Sequence, residues 1–539
     1  MTDTPKRGAA AAALVAAGIF LSRIVGLIRE RVIATYFGAG LHADVFGAAL
    51  RMPNVLQNLL GEGTLSASFI PVYSQLLGQG RTAEAGRVAG ATFALLLAIA
   101  GAISLIGIAL APLLVTILTP GFEGQRRELT ITVVRILFPM TGVLVLSAWA
   151  LGILNSHRKF FIPYFAPVLW NVAIIAALIL FSLQPDLDTL LIATSWGAFI
   201  GGLLQLGIQL PWVLRLDREI RLNSGRHEPA FREVVNNAIP AILGRGVVQL
   251  SSYVDMVLAS LLAIGAVAHL RYAQSLYVLP VSLFGMSVAA AELPELAREH
   301  DGAVDALRTR MVEALRRVAF FVVPSLVAYV LLGKFFVAGL YQAGRFSAAN
   351  AQVVWLTLAA YSLGLLASTS TRAYQSAFFA LRDTKTPARI ATVRVTVSAI
   401  AGALLMVQFE PITFQQFTIP GGFFANVRID GLTLGPVGLA LGASIGAWLE
   451  WGLLRTRLTR RIGSIAVGSW QYLRMFAAAL IAAACSYGVS LLTSHLHPLL
   501  VLALVAAVFG AFYFAWAHAF GLAEAQAVFA PLSRRLRRR

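Results

Sequence analysis

Residues 20–40 read FLSRIVGLIRERVIATYFGAG. The stretch is apolar enough to lie in lipid, yet it carries Arg23, Arg29, Glu30 and Arg31. A charged side chain at the centre of a bilayer costs roughly 3 kcal/mol or more on insertion scales, so such residues turn toward a bundle interior or water. The same pattern, a long apolar run broken by a few charges, recurs along the whole 539-residue chain. Apolar residues make up 58% and charged residues only 13%, where a soluble protein carries about 25% charge. The fold class that follows is an all-α polytopic membrane protein.

The apolar runs predict about 14 transmembrane helices, near 12–36, 43–60, 88–117, 131–154, 162–182, 189–213, 234–263, 267–290, 312–332, 352–380, 388–407, 435–454, 471–492 and 498–520. The opening MTDTPKRGAAAAALVAAGIF imitates a signal peptide, but its apolar run continues through Arg23 into a full-length span, so no cleavage is expected. The formal charge of +18 would suggest nucleic acid in a soluble protein. Here the basic residues sort by loop instead. With the N-terminus inside, 28 of the 43 fall in inner segments and 5 in outer loops. That bias predicts a multi-pass protein of the cytoplasmic membrane with both termini in the cytoplasm, and no nucleic-acid partner. The basic tail SRRLRRR is expected to fix topology, with membrane lipids as its other neighbour. The phenylalanines of the long outer loop 408–434 fit either an interfacial or an ordinary loop. Cys485 is the only cysteine, which rules out an intramolecular disulfide.

The basic segment 214–233 divides twelve spans into six and six. SRIVG at 22–26 has GRGVV at 244–248 as counterpart, FGAG at 37–40 has LAIG at 262–265, and Pro71 has Pro294, all at a nearly constant offset. Each half has an even number of spans, so the repeat would be parallel, a pseudo-twofold about the membrane normal; transporters place substrate sites between such halves. The expected organisation is an N-lobe over 1–213, a cytoplasmic linker over 214–233, a C-lobe over 234–461, and a C-terminal helix pair with a basic tail over 462–539.

Polar residues within the spans are the candidate site. Asp44, Arg51 and Asn58 are spaced by seven and Glu62 follows four later; on an unbroken helix all four project within about 40°. The second half adds Arg245, Asp255, Arg271 and Arg372. Arginine keeps its charge when desolvated and offers a planar fork to phosphate. Arg23, Arg29, Arg51, Arg245 and Arg271 converging on one cavity would suit a multivalent anion such as a pyrophosphate, with Asp44 neutralising one arginine. No GxxxxGK[ST], HExxH or cysteine-rich metal pattern occurs, so no ATPase module or metal cofactor is expected. Drive would come from an ion gradient, the membrane potential or the substrate's own gradient.

The stretch SRIVGLIRERVIATYFGAGLHADVFGAALRMPN, followed by EGTLSASFIPVYSQ, resembles the opening of the lipid II flippase family (MurJ/MviN), within the multidrug/oligosaccharidyl-lipid/polysaccharide exporter superfamily. ILNSHRKFFIPYFAPVLWN at 153–171, PAILGRGVVQLSSYVDMVLAS at 240–260 and FFALRDTKTP at 378–387 resemble it too. The resemblance implies a monomeric transporter, not an enzyme. It implies fourteen helices in two lobes, a central arginine-rich cavity, and alternating access that moves undecaprenyl-pyrophosphate-linked disaccharide peptide to the outer leaflet. The last two helices would take the polyprenyl tail.

By motif, the family's cavity arginines fall on Arg23 and Arg29, and its acidic residues on Asp44 and Glu62. Asp255 would be a sodium ligand by the same resemblance, or a partner for Arg245. The chain departs from the family at Gln57 and Asn58, where many members are basic, and at Ser275, where the family has a cavity arginine. Arg271, one turn before Ser275, is the candidate replacement. The alternative to a lipid II flippase is a related exporter of another polyprenyl-pyrophosphate-linked glycan, or a divergent paralogue. A membrane scaffold or lipid-phosphate enzyme ranks below both.

Overall fold

A computed structural model describes residues 4–183, 186–223, 225, 228–282, 303–414, 417–465 and 467–526, with backbone alone over 4–16, 243–252, 303–304, 413–414 and 417. These residues are almost wholly helical, and they form two compact units, 1–267 and 268–539. Among the described residues, nine helices are long and apolar enough to cross a membrane, or ten if one bent pair counts as a single span. The chain is therefore an all-α, multi-pass membrane protein.

The first unit contains α1 (Thr4–Phe37), α2 (Leu41–Arg51), α3 (Asn54–Leu60), α4 (Glu62–Gly78), α5 (Thr82–Ala109), α6 (Ala111–Leu118), α7 (Gly124–Ser156), α8 (Phe161–Leu180), α9 (Leu187–Leu216) and α10 (Pro229–Ser260). Helix α7 is central. It packs on α2, α3, α4, α5 and α9, while α8 joins α9 to α1. Its 33 residues would span about 50 Å at 1.5 Å per residue, more than a ~30 Å hydrocarbon core, so it crosses with tilt or protrudes. Phe69, Tyr73, Val88, Trp149, Ile153 and Val213 lie at the heart of the core near the α4–α5–α7 contact. Trp149 donates from its indole to Ala89 O at 3.1 Å, satisfying the one polar atom it buries.

The stripe expected on one unbroken second span is broken twice. Pro53 has no N–H to continue the ladder, and α2 ends at Arg51. At Gly61 a Cβ would stand 2.2 Å from Gln57 O, so only glycine permits the turn into α4. Glu62 then opens α4, where the helix dipole favours an acidic side chain.

The segment after α9 is stitched to the rest of this unit. Buried Asp217 accepts from Tyr73 Oη at 2.9 Å. Gly86 and Gly90 of α5 let the backbone of Glu219 and Arg221 lie against them, because a Cβ at Gly90 would be 2.0 Å from Arg221 O. Asn223 donates to Arg87 O at 2.9 Å, and Arg87 pairs with Glu228 at 2.5 Å. Helix α10, expected at the head of the C-lobe, packs on α3, α4, α5 and α6 within the first unit. The cause is local: Tyr253 Oη donates to the Arg51 and Met52 carbonyls, and Gly121 N donates to Ser260 Oγ. The unit boundary thus falls at 267/268 rather than in the linker.

The second unit contains α11 (Ala266–Pro280, all but its first two residues), α12 (Ala303–Leu331), α13 (Gly333–Tyr341), α14 (Ala348–Ser362), α15 (Leu365–Ala380), α16 (Lys385–Phe409), α17 (Gly435–Ile462), α18 (Ser469–Leu492) and α19 (Pro498–Ala519). The run expected as one span over 352–380 is α14 and α15, bent by 42°. A Cβ at Gly364, in the bend, would be 2.8 Å from Ser444 Cα on α17. Helices α16 and α17 pack along their lengths, and α18 pairs with α19. The C-terminal pair is part of this unit: α18 packs on α12 and α19 on α13. In the loop 410–434, β1 (Ile412–Phe414) and β2 (Phe417–Ile419) form an antiparallel pair, and Phe423 and Phe424 are exposed. An isolated bridge, Ile429 to Leu432, closes a turn at Asp430 and Gly431, both at positive φ.

Candidate functional site

The first unit holds a cavity of about 700 Å³ bounded by α3, α4, α7, α8 and α9. The break at Gly61 builds one side of it, bringing Gln57, Asn58, Glu62 and Ser66 to the wall from two short helices. Helix α7 supplies Leu144, Ser147 and Leu151, and α9 supplies Gln205. From α8 come Pro163 and Pro167. Pro167 has no N–H for the Pro163 carbonyl one turn earlier, which leaves a backbone acceptor on the α8 side. Most polar groups on the wall are uncharged amides and hydroxyls. Glu62 is the only ionisable side chain among the residues lining it.

Two of those wall residues are fixed by a network behind them. Ser147 Oγ accepts from Gln205 Nε2 at 3.1 Å and from Gln209 Nε2 at 2.6 Å. Gln209 is 1% exposed, and its Oε1 is buried without a hydrogen-bond partner among the described residues. Such a group is costly to retain.

Arg29 lies one step from this wall. Its guanidinium pairs with Glu30 at 2.6 Å, donates to Asn171 Oδ1 at 2.9 Å and stacks 4.8 Å above Trp170. Asn171 in turn donates to the carbonyl of Pro167, a lining residue. Arg29 is thus held by α8 and half neutralised by its neighbour, while its Nε has no acceptor among the described residues.

The remaining expected residues separate. Arg23 is exposed on α1. Asp44 is fully buried and does not line the cavity: its Oδ2 accepts from Arg126 Nη2 at 2.5 Å and from Gly265 N at 2.7 Å. Asp44 therefore does neutralise an arginine, but it is Arg126, which the sequence places in an outer loop. Arg51 is half-buried in the last turn of α2 and lies outside the cavity lining. Asn58 and Glu62 do line it. The side chain of Arg245 lies outside the described residues, as does Pro294.

In the second unit, Arg271 is half-buried with its guanidinium 5.0 Å from the Tyr272 ring. Ser275, one turn on, shares a 2.6 Å hydrogen bond with Tyr341 Oη and donates to Tyr272 O at 2.8 Å. The position at which the resemblance leads one to expect an arginine is thus occupied by a hydroxyl tied into an aromatic cluster of Tyr272, Tyr341 and Phe346. Asp255 is half-buried on α10. No group of three or more His, Cys, Asp or Glu side chains gathers to hold a metal among the described residues.

Sequence reasoning missed Ser147 and Gln205. The signal was present: Gln205 and Gln209 are one turn apart in the apolar run LLQLGIQL, and amides inside a span mark interior faces.

Comparison with known proteins gives one consistent answer. Residues 33–416 match the model of the family described as "Lipid II flippase MurJ". The lipid II flippase MurJ of Burkholderia cenocepacia is 32% identical over 449 residues, covering 82% of each chain. A probable lipid II flippase MurJ of Vibrio cholerae is 30% identical over 451 residues, covering 82% of this chain and 81% of that one. Among solved structures, a lipid II flippase MurJ in an inward closed conformation superposes with a TM-score of 0.74 at 22% identity, covering 94% of this chain and 98% of that one. A multidrug resistance MATE family transporter of the MOP superfamily, in an inward-facing conformation, superposes with a TM-score of 0.62 at 17% identity, covering 81% of this chain and 95% of that one.

Proposed function

The chain belongs to the lipid II flippase MurJ family, a family of transporters rather than enzymes, and from that premise we propose that it carries lipid II from the inner to the outer leaflet of the bacterial cytoplasmic membrane by alternating access. The observation that carries this reading is a polar-walled cavity of about 700 Å³ in a unit where α5, α7, α8 and α9 are long and apolar enough to cross a membrane, three of them supplying its wall. Polar groups at that depth are costly unless they meet water or a polar cargo. A membrane-embedded enzyme would instead gather acid–base or metal ligands at one face.

In the proposed cycle the diphosphate is gripped by Arg29, with Arg23, Arg51, Arg245 and Arg271 as further cationic contacts. Arg29 is the best prepared: Trp170 and Asn171 fix its plane, and its Nε is an unused donor. Asn58 and Glu62 face the cargo from the cavity wall, and Asp44 supports the site from its pair with Arg126. Both termini lie in the cytoplasm and the protein acts as a monomer, with the membrane potential or a sodium gradient as drive. A sodium ion at Asp255 would take its other ligands from carbonyl and hydroxyl oxygens, since no group of three His, Cys, Asp or Glu gathers there among the described residues.

The hydroxyl at Ser275 favours a second reading, export of a different polyprenyl-pyrophosphate-linked glycan by a divergent member. Depletion in the host separates the two. Lipid II accumulating on the inner leaflet supports the first reading. Accumulation of another lipid-linked glycan, with lipid II still crossing, supports the second.

A further inference from the structure

Among the described residues, no lysine or arginine lines the cavity of the first unit, and Glu62 is the one ionisable residue on its wall. Asn54, Gln57 and Ser66 on α3 and α4 line it together with Ser147 on α7 and Gln205 on α9. A side-chain amide offers both donor and acceptor, and a hydroxyl does the same. That is the complement of a group bearing hydroxyls and amides of its own. The volume of about 700 Å³ sits within the roughly 300–1,000 Å³ of cavities that enclose small organic ligands.

We propose, resting on the carrier reading above, that this pocket is the specificity subsite for the uncharged, amide- and hydroxyl-bearing part of the cargo, and that Ser147 and Gln205 are its recognition wall. The diphosphate stays outside it, near Arg29, one residue beyond the Pro167 wall. The wall is preorganised. Ser147 Oγ holds the Nε2 groups of Gln205 and Gln209 together, so the Gln205 amide is committed through its nitrogen and presents its carbonyl oxygen as the remaining acceptor. Pro167 also lacks the N–H that would bond the Pro163 carbonyl one turn earlier, and both prolines line the cavity. A site that hydrogen-bonds its ligand in this way rejects analogues lacking those groups, because its own polar atoms are then left unpaired. An acetamido-sugar and a peptide both carry the required chemistry.

The test compares equilibrium binding of three synthetic probes to the purified full-length protein: polyprenyl diphosphate alone, the same lipid bearing an acetamido-disaccharide, and the disaccharide bearing its peptide. Gln205→Leu is expected to weaken the glycosylated probes about tenfold relative to the bare diphosphate, the loss of roughly one buried hydrogen bond. Gln57→Leu, on the α3 part of the wall, repeats the measurement in a background that leaves the Ser147 network intact. Arg29→Gln should weaken all three probes in parallel. If both leucine variants bind every probe as the unaltered protein does, or lose all three equally, the inference is overturned. A loss seen with the peptide-free disaccharide identifies the sugar as the ligand of this wall. A loss confined to the third probe identifies the peptide amides. If the unaltered protein binds none of the probes, the carrier reading itself has failed.

Discussion

Asp44 and Arg126 are 0% and 5% exposed, so neither charge can fall back on water if the other is removed. Arg126→Ala strands a buried carboxylate, and breaking such a pair costs about 3–5 kcal/mol. The expected outcome is a marked fall in the thermal midpoint of the purified protein, largely recovered when Asp44→Asn is added. His157 gives a different test. It caps the end of α7 and meets Tyr73 Oη at 3.0 Å, beside Asp217. Burial holds its imidazole below the ordinary histidine value, opposed by the Asp217 charge. The folded value is depressed, so the unfolded chain binds more protons between the two values. The stability His157 confers is whole above about pH 6.5 and declines as pH falls below it. Thermal midpoints should therefore drop between about pH 7.5 and 5.5, and His157→Gln should flatten that slope. At this scale the sequence was partly legible. Asp44, Asn58 and Glu62 could be singled out because charge and amide stand out in an apolar run. Their partners could not, because Arg126 lies 82 residues from Asp44 and reads as an ordinary loop charge.

Among the elements, the most consequential misreading was the second span. Treated as one helix, it aligns Asp44, Arg51, Asn58 and Glu62. Broken at Pro53 and Gly61, it sends the first to an ion pair and the last two to the cavity. Pro53 was a visible warning. Gly61 was not, since its role depends on the 2.2 Å approach that a Cβ would make to Gln57 O, a matter of backbone path. Gly61→Ala should straighten or displace the α3–α4 junction, cost about 1–3 kcal/mol as an overpacked site does, and reduce transport in reconstituted vesicles several-fold. Retained transport with unchanged stability would show that the junction has slack. The bend between α14 and α15 went unread for the same reason: what demands Gly364 is a neighbouring helix.

For the whole molecule, membrane class and family could be read from the chain alone, because apolar runs and the motif at 22–54 are local properties. The division into units was not local. The repeat placed it near 214–233, whereas the contacts of α10 put it at 267/268. Topology is open to direct test. With Cys485 replaced by serine, Asp430→Cys should react with a membrane-impermeant maleimide on intact cells, while Arg382→Cys should react only after the membrane is opened. Labelling of Arg382→Cys from outside would reverse the proposed orientation.

The segment from Asp217 to Glu228 also bears on how the chain can be altered. It joins α9 to α10 and by composition resembles slack cable, the usual choice for inserting an epitope or a fluorescent protein. Yet its backbone is let into the surface of α5 at Gly86 and Gly90 and riveted by Asp217 and Asn223. An insertion there would pry the strap off its seat and should cost expression as severely as one inside a helix. The exposed turn at Asp430 and Gly431, closed by the Ile429–Leu432 bridge, is the place where added sequence can hang without disturbing the packed helices.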